Sequence, residues 1–178
     1  MDKEESWFTL YSGARFYPFR DNLEESIHIE DIASALSHLC RFNGHCTHFY
    51  SVAEHSVLCS LQVSPQNAMA ALLHDATEAY VGDLIRPIKR FMPEFESLED
   101  RIWLAVARKF GLPAVLPDEV HWADNSVLMA EARDLLNPVG EIKFPYIDAR
   151  PPAGLTLTRP RSPSEAKSYF LSRFEELS

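Results

Sequence analysis

The sequence predicts an all-α fold, a single helical bundle with a metal site among its core side chains. Every strong periodic signal from about residue 29 onward has the helical spacing, not the alternation of a strand. Helix-start signals recur, at Ser51-Val52-Ala53-Glu54, Ser64-Pro65 and Ser162-Pro163-Ser164-Glu165. The most apolar of the expected helices carries His74-Asp75, a pair costly to bury unless something compensates its charge. Helical bundles build metal sites from side chains that face one another across the core.

Taken in order, residues 8–20 mix aromatics, glycine and proline without a clear period. Here, or in 137–161, the sequence leaves room for a minor short β element. The first helical pattern begins at Ile29 and continues through Ile32, Leu36 and Leu39. Ser51 to Glu54 reads as a capping box, with Ser51 bonding forward and Glu54 reaching back; its helix runs through Val57, Leu58 and Leu61 to about residue 62. Ser64 is the next expected N-cap, with Pro65 at the first helical position. From there one continuous helix is expected through Ala68, Ala70, Ala71, Leu72 and Leu73 to about Tyr80, buried on most sides.

Residues 82–93, with Pro87 and Pro93, read as a loop or short turn. The helix at 94–110 has Phe95, Leu98, Ile102, Ala105 and Val106 on its apolar face. Arg108 and Lys109 complement its C-terminal dipole and Gly111 stops it. Trp103 on this helix is a packing residue or an oligomer contact. A further helix at about 117–136 carries Val120, Val127, Leu128 and Leu135, and 137–161 is proline-bearing loop or short hairpin. Ser162 caps a last helix whose stripe is Phe170, Phe174 and Leu177.

At 178 residues the chain suits one domain. Its net charge of −9 disfavours a role that tracks a nucleic-acid backbone, where affinity comes from cations displacing counterions. A small anionic substrate stays open, because a local cluster of cations outweighs distant charge. No apolar run is long enough to span a bilayer, and the acidic N-terminus lacks the features of a signal peptide; a cytoplasmic protein is expected. Cys40, Cys46 and Cys59 are odd in number and lack C-x-x-C spacing, which argues against a disulfide framework or a zinc ribbon. Reduced thiols acting as small apolar side chains are expected.

His55, His74, Asp75 and Asp124 fall on three expected helices, and Glu78 lies one turn beyond His74, on nearly the same face. Two histidines and two aspartates can close around one cation. Nitrogen and oxygen donors suit a divalent transition metal (Mn, Fe, Co, Ni or Zn) better than calcium. Four such ligands leave octahedral positions open to water and a substrate oxygen.

His55, then His74-Asp75, then Asp124 resembles the H…HD…D signature of HD-domain phosphohydrolases. The surrounding strings Ser51-Val52-Ala53-Glu54-His55-Ser56, His74-Asp75-Ala76-Thr77-Glu78-Ala79 and Gly82-Asp83-Leu84-Ile85-Arg86-Pro87-Ile88-Lys89 are similar to the bacterial and phage branch of small HD nucleotidases. The resemblance covers roughly residues 29–136. That branch holds 5′-deoxynucleotidases acting on monophosphates and phage enzymes that strip triphosphate from dATP; both cut between O5′ and the α-phosphorus. The resemblance implies an HD-domain helical bundle with His55, His74, Asp75 and Asp124 as ligands of one divalent transition metal. It implies Glu78 as general acid or base, Arg41 holding the phosphate, Asp83 contacting the deoxyribose hydroxyl and Lys89 near the phosphate. Some deoxynucleotidases carry Trp after that arginine; here Phe42 stands there, which leaves ribose discrimination open. The family often associates, so a homo-oligomer is expected, with a nucleotide as small-molecule partner.

In isolation these residues have ordinary roles: Arg41 as a helix C-terminal cation, Asp83 as a turn residue after Gly82, Lys89 as solvated surface, Phe42 as core. His45 and His48 read as loop histidines, and His121 as a surface or supporting residue. Rival functions are an HD phosphodiesterase on another phosphoester, a catalytically silent metal- or nucleotide-binding module, and a purely structural helical protein.

Overall fold

In the computed structural model, which describes residues 3–136, 142, 144–145, 147–157, 159 and 161–178, helices form the body and one minimal sheet flanks them. Strand β1 (Phe8–Thr9) pairs antiparallel with β2 (Arg15–Phe16), Phe8 opposite Phe16. Leu10 N donates to Ala14 O across the turn, and Gly13 there has φ 85°, a conformation that glycine adopts without a Cβ penalty. The expected β element thus lies near the N-terminus. Among the described residues of 137–161 there is no strand; 137–141, 143, 146, 158 and 160 lie outside them.

Helix α1 (Ile29–His38) buries Ile32, Ala33 and Leu36, and its buried Asp31 accepts from the amide and hydroxyl of Ser12, which fastens the hairpin turn to the bundle. A 3-10 turn at Arg41–Gly44 precedes helix α2 (Val52–Ser60). Helix α3 (Ala68–Leu73) and the single turns α4 (Glu78–Val81) and α5 (Arg86–Lys89) follow. Then come the two long helices α6 (Pro93–Phe110) and α7 (Asp118–Leu135), and last α8 (Pro163–Leu177). Helix α2 packs against α1, α3, α7 and α8, so it is the central element. Phe16, Ile32, Leu36, Val57, Leu72, Leu73, Ile102, Val106 and Phe170 are fully buried in one apolar cluster. Burying each such side chain contributes about 1.5–3 kcal/mol. Gly111, at φ 67°, stops α6 as expected. No helix among the described residues is long and apolar enough to cross a membrane.

Three expectations need correction. The helix expected to run to Tyr80 breaks across residues 74–77, where amides bond back three residues instead of four: Ala76 N to Leu73 O, Glu78 N to Asp75 O, Ala79 N to Ala76 O. The cause is local. His74 Nδ1 bonds the Ala71 carbonyl at 2.8 Å, the acceptor that an unbroken helix would give to the amide of residue 75. Ser64 makes no cap bond; its hydroxyl donates to Glu119 at 2.5 Å, and Pro65–Asn67 forms a 3-10 turn. Ser51 does accept from Glu54 N at 3.2 Å, but the Glu54 carboxylate takes Arg161 at 2.8 Å instead of reaching back. At α8 the full capping box is present, Ser162 with Glu165. Trp103 packs on the core, with its Nε1 donating to Ala114 O.

Candidate metal centre

The chain brings His55, His74, Asp75 and Asp124 together. His55 sits in the middle of α2 and is fully buried. His74 and Asp75 project from the tightened turn after α3, and Asp124 from the second turn of α7. His55 Nε2 lies 3.2 Å from Asp124 Oδ1 and 3.6 Å from Asp75 Oδ2; His74 Nε2 lies 3.3 Å from the same Asp75 oxygen. Ligands at about 2.1 Å from one ion stand roughly 3.0 Å apart in an octahedron and 3.4 Å in a tetrahedron, so these separations fit a shared cation. Side-chain exposure rises from 0% at His55 and 6% at His74 to 14% at Asp124 and 19% at Asp75, so the cluster opens to solvent on its aspartate side.

Both imidazoles have their second nitrogen fixed. His55 Nδ1 donates to Glu131 Oε1 at 2.6 Å, because an ionised carboxylate only accepts. His74 Nδ1 donates to the Ala71 carbonyl. Each ring therefore offers the Nε2 lone pair to the cluster, the tautomer that metal-binding histidines take when the other nitrogen is held. His74 Nε2 is buried and has no hydrogen-bond partner, a cost of about 1–3 kcal/mol unless something satisfies it. A cation held in the cluster would satisfy it.

Cys59, one turn after His55 on α2, also comes close: His55, Cys59 and His74 offer ligand atoms within 4.8 Å of one another and could hold a metal ion. Its Sγ is 3.4 Å from His55 Nε2 but only 3.9 Å from Nδ1. A ligand sharing an ion with Nε2 lies beyond that atom and much farther from Nδ1, so the sulfur rests over the ring face. Without a bound cation, burial pushes the Cys59 thiol up to about 11. The aspartate oxygens lie at the Nε2 atoms, whereas the thiol lies over the His55 ring.

The site sets carboxylates against cations, Asp75 and Glu131 beside Arg41 and Asp124 beside Arg86. Burial works against ionisation of Asp124, but hydrogen bonding and charge from His55, with His74 and Arg86, hold its carboxyl well below the usual range. Burial and the Arg41 charge oppose protonation of His55, while Cys59, Glu131 and Asp124 outweigh them and raise its proton affinity well above the ordinary.

The other expected site residues surround the cluster. Arg41, its side chain 11% exposed, places Nε 3.0 Å from Glu131 Oε2 and Nη1 3.7 Å from Asp75 Oδ2. Its position is set by backbone pairing to the start of α2, Arg41 N to Tyr50 O and Val52 N to Leu39 O. Phe42 follows in a left-handed conformation, φ 55°, rare for a bulky residue, and its ring lies 5.7 Å from the Arg41 guanidinium carbon. Glu78 is buried, one carboxylate oxygen has no partner, and burial with the charges of Asp75 and Asp83 raises it well above the carboxylate range. Burial likewise raises Asp83, opposed by Arg41. Lys89 is paired with Glu99 at 2.7 Å, and Arg86 pairs with Asp124 and Asn125.

Glu131 is the residue that sequence reasoning missed. It is fully buried and accepts from His55, from Tyr50 Oη at 2.9 Å and from Arg41. Its signal was its spacing, seven residues after Asp124 on α7, which places both on one helix face. His48 Nδ1 lies 3.1 Å from the hydroxyl of its neighbour Thr47, and His121 is exposed. Cys40 and Cys46 are free thiols 3.5 Å apart.

No family model matches the chain. It is 41% identical over 173 residues to YfdR, an uncharacterized protein of Escherichia coli K12, covering 97% of this chain and 96% of that one. It is 35% identical to an uncharacterized protein of Rhodobacter capsulatus, over 98% of this chain and 96% of the relative.

Proposed function

The chain belongs to the family of Escherichia coli YfdR, and for it we propose a metal-dependent phosphohydrolase of the HD type that cleaves the O5′–Pα bond of 2′-deoxynucleotides. The observation that carries this reading is the donor set: two histidines with their second nitrogens held, two aspartates within 3.6 Å of them, and a buried His74 Nε2 that makes no hydrogen bond. Nitrogen and carboxylate donors in this ratio suit a divalent transition ion such as Mn, Co, Fe, Ni or Zn.

When bound, such an ion lowers the pKa of a water and polarises a phosphoryl oxygen. The chain supplies the rest. Arg41, charged and held by Glu131 and Asp75, presents its remaining N–H groups to phosphate oxygens in a planar fork. Glu78 has a high proton affinity and a free carboxylate oxygen, so it takes the proton of the attacking water or hands one to the departing O5′. Phe42 stacks beside Arg41 against the sugar, Asp83 receives the deoxyribose hydroxyl, and Lys89 adds positive charge near the phosphate. Water attacks phosphorus, the P–O5′ bond breaks, and the deoxynucleoside leaves with phosphate or triphosphate as coproduct. Arg86 and Lys89 are already paired with Asp124 and Glu99, which favours the monophosphate over a longer anion.

The test is hydrolysis by metal-stripped protein refilled with Mn, Co, Mg or Zn, across ribo- and deoxynucleoside mono- and triphosphates, with products separated by chromatography. Deoxynucleoside released only in the presence of metal supports the reading. Metal and nucleotide binding without turnover in the wild type replaces it with a silent binding module.

A further inference from the structure

Glu131 is placed where the metal side and the phosphate side of the site meet. Oε1 takes the Nδ1 proton of His55 at 2.6 Å and the Tyr50 hydroxyl at 2.9 Å, and Oε2 takes Nε of Arg41 at 3.0 Å. The carboxylate has no exposure, so solvent cannot replace any of these bonds. Two of the three residues it grips, His55 and Arg41, each have one further job in the proposed site. His55 turns Nε2 toward Asp75 and Asp124. Arg41 has its guanidinium plane fixed through Nε, with Nη1 directed at Asp75.

We infer that Glu131 is a shared positioning residue, which fixes the ring of His55 for metal binding and the fork of Arg41 for phosphate binding through one carboxylate. The inference rests on the phosphohydrolase reading and deepens it. An orienter of His55 alone needs only one oxygen, and a counter-ion for Arg41 alone needs no contact with a metal ligand. Here a rotation of the carboxylate that breaks one bond breaks the other, because both oxygens belong to one rigid plane. Tyr50, bonded to the same Oε1 and fully buried, restrains that rotation.

The experiment compares wild type, Glu131→Gln, Glu131→Asp and Tyr50→Phe. Circular dichroism and the thermal midpoint of the metal-free proteins establish folding. Affinity for Co is read by competition with a chelating dye, and affinity for inorganic phosphate by calorimetry at saturating Co. Removing a partner that orients a metal-binding histidine costs about 10–100-fold in metal affinity. Folded Glu131→Gln is expected to lose that much for Co and, with the metal site refilled, about tenfold or more for phosphate, the loss of an oriented charge-assisted contact. Glu131→Asp keeps the charge but withdraws it by one methylene, and is expected to fall in the same direction on both axes; it stands in if the Gln variant does not fold. Tyr50→Phe leaves both bonds of the carboxylate in place and is expected to change either affinity by less than either Glu131 variant does. Co affinity unchanged in a folded Glu131 variant overturns the inference. Loss of Co affinity with phosphate affinity intact at saturating metal also overturns it, because Glu131 then serves His55 alone. Wild-type protein that takes up no metal overturns the phosphohydrolase reading itself.

Discussion

In the proposed reaction Arg41 and Glu78 would serve a phosphate ester in different ways, and mutation separates them. The proposal gives Arg41 the binding of the phosphate by charge and shape. Arg41→Ala is expected to raise KM about 10–100-fold, the worth of one or two hydrogen bonds to a charged group, with metal content unchanged by elemental analysis; unchanged KM and kcat contradict the assignment. The proposal gives Glu78 the transfer of a proton. Glu78→Gln keeps the size of the side chain and is expected to lower kcat about 10²–10⁴-fold with metal retained. At this scale the sequence was partly legible. His74-Asp75 stands out because a charged pair inside an apolar helix is expensive, and His55 and Asp124 join it through the resemblance to the H…HD…D pattern. Glu131 did not stand out, because α7 also carries Asp118, Glu119 and Asp134. Only tertiary packing decides which carboxylate is buried. Lys89 and Arg86 could be placed near the site but not paired, since Glu99 and Asn125 reach them from separate helices.

The helices themselves follow their local chemistry, and their ends test it. Ser162 accepts from Glu165 N at 3.3 Å while the Glu165 carboxylate takes Ser162 N at 2.9 Å. Ser162→Ala is expected to cost about 1 kcal/mol, read as a lowered urea midpoint at constant m-value. The start of α3 is tied to α7 instead by Glu119, which the Ser64 hydroxyl, the Asn67 amide and the Ser64 N–H hold below its ordinary carboxyl value of 4.5. A depressed folded value means that this tie stabilises the fold above about pH 4.5 and is lost as pH falls through the folded value. Wild type should therefore lose more stability than Glu119→Gln between about pH 6 and about pH 3, followed by urea unfolding; parallel curves contradict the tie. Periodicity gave α1, α6, α7 and α8 nearly to the residue. It failed at residues 74–77 because the break comes from a side chain, His74, competing for a backbone carbonyl. Hydrophobic spacing does not record that competition. The same break lets His74 and Asp75 project together toward His55.

On the scale of the whole molecule, α2 is the organising element: packed on α1, α3, α7 and α8, it carries His55 to the centre of the bundle, and α7 brings Asp124 and Glu131 to meet it. The cluster joins His55, His74, Asp75, Asp124 and Glu131 to Arg41 and Arg86, and an ion bound there adds its binding free energy to the folded state. Metal should therefore stabilise the fold. At a hundredfold excess over its dissociation constant, Co or Mn is expected to add about 2.7 kcal/mol, seen as a raised Tm that a chelator reverses. Product analysis on deoxynucleoside monophosphates, comparing metal-stripped, metal-refilled and Glu78→Gln protein, tests metal-dependent hydrolysis directly. Deoxynucleoside and phosphate are expected from the refilled wild type alone. Equal release from the metal-stripped protein, or undiminished release from the Glu78→Gln variant, would contradict it.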